Sequence, residues 1–181
     1  MKYYFFATTN TIITSLLLAF LTFSCSHHEG SINRNMYLAL DNYGRKIATE
    51  NSMKYLYQGN KGLPCYFMTF SSGSNMSIDQ GRALIIGVTA SFLHMIPEDP
   101  DIKAFLEANK TQSYCQTGLE NTGIRIDFWD KDMNRLKHPY LAEVLLINKT
   151  ISYFEADPTT QALRLVHKES YSDAQKILGK S

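Results

Sequence analysis

Three cysteines, five histidines and one run of oxygen-bearing side chains are the residues of this 181-residue chain whose types could do chemistry. The cysteines are Cys25, Cys65 and Cys115. A thiol can attack a carbonyl, close a disulfide or accept a lipid, and its surroundings decide which. Cys25 lies at the edge of an apolar run, in LTFSCSHHEG, and no signature pairing a cysteine with a histidine surrounds Cys65 or Cys115. With Cys25 set aside, Cys65 and Cys115 form an even pair that reads as a disulfide candidate if the chain is exported, or else as two buried thiols. Closing that loop would stabilise the fold by about 4 kcal/mol in the chain-entropy picture.

The histidines do not assemble by spacing. His27, His28 and Glu29 offer imidazole and carboxylate donors of the kind zinc or copper takes, but neighbours in a polar tether have no fixed geometry, and no metal site is expected there. His94 stands alone before Pro97, where a packed or hydrogen-bonded role is expected rather than catalysis. In DKDMNRLKHP, Asp130, Asp132 and Asn134 match the first oxygen positions of a calcium loop, yet Arg135 stands where that loop needs glycine and Leu141 where it needs glutamate. Aspartate and asparagine also make ordinary turns, so a turn is expected. The chain carries no G-x-S-x-G elbow, no paired-histidine metal helix and no paired-cysteine motif, and no cofactor is expected.

The segment before Cys25 places that cysteine. Lys2 is followed by the uncharged stretch YYFFATTNTIITSLLLAFLTF and then by Ser24. The most apolar part, Ile12 to Phe23, is short for a bilayer span, which favours an export signal over a transmembrane helix. These residues resemble the precursors of bacterial lipoproteins, in which a small residue precedes a cysteine whose thiol receives a diacylglyceryl group before the signal is cleaved. This sequence departs from that pattern in having Thr22 and Phe23 where leucine and a small residue are usual. The resemblance implies a signal peptide over residues 1–24, an acylated tether over 25–32, lipid attachment at Cys25 and a single α+β domain over 33–181. With Ser26 rather than aspartate after the cysteine, it also implies the outer membrane over the inner. Two or three acyl chains, each buried methylene adding about 0.8 kcal/mol, would hold the protein on the bilayer essentially permanently.

Charge narrows the partners. Lysine and arginine total 18 and aspartate and glutamate 17. Lys2 is the only charged residue before Cys25, so a chain starting at Cys25 is neutral and shows no electrostatic footprint for nucleic acid. The expected partners are the lipid bilayer and a protein or other component of the envelope.

The elements follow from periodicity. Met36, Leu40, Tyr43, Ile47 and Leu56 predict an amphipathic helix from about Asn33 to Tyr57, and CYFMTFSS predicts a strand. Ser77 and Gln80 form a capping box for a helix from Ile78 to Met95, whose second stripe, Ala83, Gly87, Ala90 and His94, is expected to pack closely. Asp99 and Pro100 start another helix. GIRIDFWD, two runs split at Asn148 and Lys149, and ALRLVHKE predict four strands, and a last helix runs from near Ser172 to Leu178. This order predicts an α+β fold: an antiparallel sheet of about four to five strands packed against three to four helices. Alternation along GIRIDFWD puts Arg125, Asp127 and Trp129 on one side, with Arg164 as a candidate neighbour. Tryptophan among charges suits recognition, so a binding protein is expected, with a hydrolase of divergent active site as the alternative. Asn-x-Ser/Thr matches at Asn75, Asn109 and Asn148 would matter only for a eukaryotic secretory protein.

Overall fold

Residues 34–50 are helical (α1) and bury Met36, Leu40 and Ile47 on one side, while Asp41 and Arg45 pair at 2.7 Å on the outer side. The computed structural model describes residues 34–58, 66–111 and 118–179 of the chain. Helix α1 ends seven residues earlier than its periodicity predicts, because Ser52 takes a left-handed φ of 54° and the chain then pairs as strand β1, Lys54–Gln58. Leu56, read as a core residue of the helix, is on that strand and 47% exposed. The β-prone run Tyr55–Leu56–Tyr57 finds a partner in the next strand, and that pairing overrides the helical spacing. Gly44 lets the two elements touch: a Cβ there would collide with the Tyr55 ring.

Strand β2, Tyr66–Ser72, leads to helix α2, Ile78–Met95, then a 3-10 turn, Ile96–Glu98, and helix α3, Pro100–Ala108. The α2 cap is reciprocal, as expected: Gln80 N donates to Ser77 Oγ at 3.3 Å and Ser77 N to Gln80 Oε1 at 2.9 Å. Asp99 caps α3 by accepting from the backbone N–H groups of Asp101 and Ile102. The small stripe of α2 packs differently from expectation. Ala83, Gly87, Ala90 and His94 are exposed, and a Cβ at Gly87 would meet nothing within 4 Å. Close approach falls to Gly81 instead, where a Cβ would come within 2.6 Å of Leu141 Cδ1.

After a second 3-10 turn, Leu119–Asn121, come strands β3, Thr122–Phe128; β4, Glu143–Ile147; β5, Thr150–Ala156; β6, Leu163–Ser170; and helix α4, Tyr171–Leu178. Asn148 and Lys149 both have positive φ, 49° and 64°, the conformation of a tight two-residue hairpin turn.

The α+β composition is as expected, but the described residues form one sheet of six strands rather than four to five, in the order β1 to β6. It is also mixed: β2 and β3 are parallel, Tyr66 pairing with Thr122, and the other pairs are antiparallel. The reason is the helical insert between these two strands, which returns the chain to the end where β2 began, as parallel neighbours require.

One apolar cluster joins the helices to one face of this sheet. It runs through Tyr66, Met68 and Phe70 of β2, Ile124, Ile126 and Phe128 of β3, Val144 and Leu146 of β4, and Ile151 and Tyr153 of β5. The next residues along each strand point the other way.

Candidate functional site

That second face holds the predicted binding residues. On β3, Arg125 and Asp127 alternate with the buried Ile124, Ile126 and Phe128, and Trp129 follows directly. Register sets their neighbours: Asp127 lies opposite Glu143, Glu143 opposite Phe154, and Phe154 opposite Leu165. A polar patch therefore grades into an apolar strip ending at Leu165, which is 50% exposed.

Within the patch, Arg125 is the organiser. Its guanidinium donates to Asp127 Oδ1 through Nε at 3.1 Å and Nη2 at 2.9 Å. Nη2 also lies 2.8 Å from Glu143 Oε2, but off the hydrogen-bonding direction, so that contact is charge attraction. Asp127 and Glu143 are buried, at 5% and 4% exposure. Burial pushes the Glu143 carboxyl up, Arg125 opposes it and the neighbouring Asp127 adds to it.

Beside them, the Arg135 guanidinium carbon lies 5.6 Å from the centre of the Trp129 ring, a cation–π contact. The β3–β4 connection delivers this arginine: Trp129 and Arg135 form a bridge, and Arg135 N donates to Gln161 Oε1 at 3.1 Å. Asp130 sits at the turn between them and accepts from the N–H groups of Asp132 and Asn134, each at 2.9 Å. Hydrogen bonds from Asn134 foremost hold its carboxyl below the usual range. This stretch is the turn that the sequence suggested, with a carboxylate already engaged by its own backbone.

Arg164 stands apart from the other predicted residues. It pairs with Glu155 at 3.1 Å, next along the strand from Leu165 and so directed away from the Arg125 side. His138 meets the same glutamate at 3.2 Å. His167 lies 3.7 Å from Glu169, and His94 is exposed on α2. The three histidines thus share no carboxylate. Cys25, Cys65, Cys115, His27, His28 and Glu29 lie outside the described residues, as do the predicted boundaries at 24 and 32.

Sequence reasoning missed Glu143 and Arg135. Alternation along EVLLI marks a strand, but the long connection after β3 leaves the register open, and only register makes Glu143 the partner of Asp127. It also missed a buried network on the opposite face: Arg82 Nε donates to Glu169 Oε1 at 2.8 Å, Tyr153 OH donates to the same oxygen at 2.5 Å, and Arg82 also pairs with Asp79. Burial and then the Glu169 contact push the Tyr153 hydroxyl well above its usual range.

Among the described residues, no group of three or more histidine, cysteine, aspartate or glutamate side chains is placed to hold a metal, and no helix is long and apolar enough to cross a membrane. Comparison with protein-family models, with curated proteins and with solved structures finds no match.

Proposed function

We propose that the chain is a lipoprotein of the bacterial envelope, attached to the bilayer through an acylated Cys25, whose domain works by binding an envelope protein or component. The anchor rests on the signal-like segment ahead of Cys25 and the small Ser24 before it; Ser26 after it favours the outer membrane by the same resemblance. Binding rests on one observation, the placing of the Trp129–Arg135 stack on the same sheet face as the strip of Phe154 and Leu165. Aromatic and arginine side chains beside apolar surface are the groups that dominate recognition energies. His138 and His167 lie against different carboxylates, Glu155 and Glu169, and His94 is exposed on α2, which weighs against a hydrolase built on one histidine cluster.

Two measurements test this. Palmitate labelling and membrane fractionation of wild type and Cys25→Ala address the anchor: the variant loses both label and sedimentation with membranes, and a variant that stays membrane-bound at unchanged mass overturns the lipid reading. Crosslinking in intact envelopes addresses binding: Trp129→Ala loses the crosslinked species that wild type and Ala83→Ser both give. Retention of that species in Trp129→Ala moves the binding site off this face.

Export carries one more consequence. We infer that Cys65 and Cys115 are bridged in the exported protein. In the sequence Cys65 directly precedes Tyr66 and Cys115 precedes Thr122 by seven positions, and Tyr66 pairs with Thr122. Alkylation followed by non-reducing mass spectrometry finds neither thiol labelled; two labelled thiols reject the bridge.

A further inference from the structure

Among the described residues, the ionic groups around Glu143 come from two elements, and they crowd a second carboxylate against it. From β3 it meets Asp127 and Arg125, and from the β3–β4 connection Arg135. From β5 its direct neighbour is the uncharged Phe154, with Leu165 of β6 beyond. Asp127 and Glu143 are directly opposed across an antiparallel pair, where like charges oppose one another, and both are almost fully removed from water. Both carboxyl groups crowd the same Arg125 Nη2, Asp127 Oδ1 at 2.9 Å and Glu143 Oε2 at 2.8 Å. Glu143 Oε2 is buried and accepts no hydrogen bond from the described residues, so a proton on this carboxyl removes a buried like charge without displacing a donor.

The single arginine that touches both is committed unequally. Arg125 makes two formed hydrogen bonds to Asp127 and none to Glu143 Oε2. Glu143, the carboxyl without a formed hydrogen bond, is the natural holder of a proton. We propose that the Asp127–Glu143 pair holds one proton between its carboxyl groups in the folded domain and releases it as the pH rises, making this strand pair an acid-strengthened latch beneath the Trp129–Arg135 stack.

The sign of the effect follows from linkage. A glutamate raised above its ordinary value of 4.5 takes up a proton on folding, so its contribution is full below that value and is lost as the pH climbs through the raised one. Asp130, Asp157 and Asp173 act in the opposite sense and in a lower range. Hydrogen bonds hold each of them below 3.8, so their contributions disappear only in stronger acid. With both carboxyls charged, the patch formed with Arg125 and Arg135 changes from one net positive charge to none, so the face beside Trp129 also changes character with pH.

The test is urea unfolding of the full chain in detergent micelles between about pH 5 and pH 8, followed through Trp129, the one tryptophan of the chain. In wild type the unfolding constant rises by up to about tenfold per pH unit within the window where the pair releases its proton. Glu143→Gln removes the group that releases the proton and loses that rise, whereas Asp127→Asn removes the opposing charge and moves the rise to lower pH. Subtracting a variant from wild type removes every contribution common to both. If Glu143→Gln does not fold, Asp127→Asn carries the comparison alone. A variant that keeps the wild-type slope, or a wild type whose slope is absent, overturns the proposal.

Discussion

The two faces of the sheet obey different rules although they share every strand. The helix-covered face is mostly apolar and uses a buried ionic network, Arg82 with Glu169 and the Tyr153 hydroxyl, to fasten α2 to β6. The opposite face concentrates Arg125, Asp127, Glu143 and Arg135 around Trp129 and then turns apolar toward Leu165. On the first face a charge is sealed beneath a helix and fully engaged. On the second, opposed charges crowd together next to apolar surface that no helix among the described residues covers. The contrast teaches that position relative to the helices, rather than residue type, separates holding the fold from presenting a surface.

The largest effects should come from the sealed face. Arg82→Ala leaves Glu169 buried without its cation and lowers stability by about 3–5 kcal/mol, read as the urea midpoint. Replacing both partners, Arg82→Met with Glu169→Leu, recovers most of that loss. A double variant as unstable as the single one would show that the network does more than neutralise a charge.

Next in size are the two glycines of α2, which break the comparison in opposite directions. Gly81→Val drives a side chain against Leu141 and costs about 1–3 kcal/mol. Gly87→Ala adds a methyl group to open space in a helix interior and gains about 0.5–1 kcal/mol. Thermal unfolding of the pair checks both signs, and equal signs would mean that the helix is rotated from the position described. Ser77→Ala, which removes half of the reciprocal cap, costs about 1 kcal/mol.

Smallest is the outer strip. Leu165→Ala should change stability by less than about 0.5 kcal/mol while weakening envelope crosslinking, because its exposed side chain leaves little apolar contact to lose. A stability loss comparable to that of Gly81→Val would remove Leu165 from the binding surface and assign it to the core.

How much of this was legible depended on whether the deciding contacts were local. The α2 cap needs only Ser77 and Gln80, three residues apart, and the β4–β5 turn needs only Asn148 and Lys149; both were readable. The side of the sheet taken by Arg125, Asp127 and Trp129 followed from alternation alone. The end of α1 was not legible, because Leu56 satisfies a helical spacing while Tyr55 is claimed by Phe70 across a strand pair. Nor was the choice between Gly81 and Gly87, since both are small residues on one helix and only the sheet behind it fixes which side is crowded. Arg82 and Glu169 look like surface residues in sequence. Their burial depends on a contact spanning the interval from α2 to β6. Arg164 was misplaced relative to Arg125 for a similar reason: a register irregularity between Tyr153 and Phe154 resets the alternation along β6.

The parallel pairing of β2 with β3 has a consequence in time as well as in space. Strands β3 to β6 pair with sequence neighbours through successive antiparallel contacts, so each of their connections is shorter than the interval from β2 to β3. The β2–β3 ladder joins Tyr66 to Thr122 and closes only after two helices have been threaded between them. Closing a longer loop costs more chain entropy before any contact repays it. The last four strands with α4 therefore form a natural nucleus, onto which the earlier part of the chain docks. By that order the described segment nearest the N-terminus settles last.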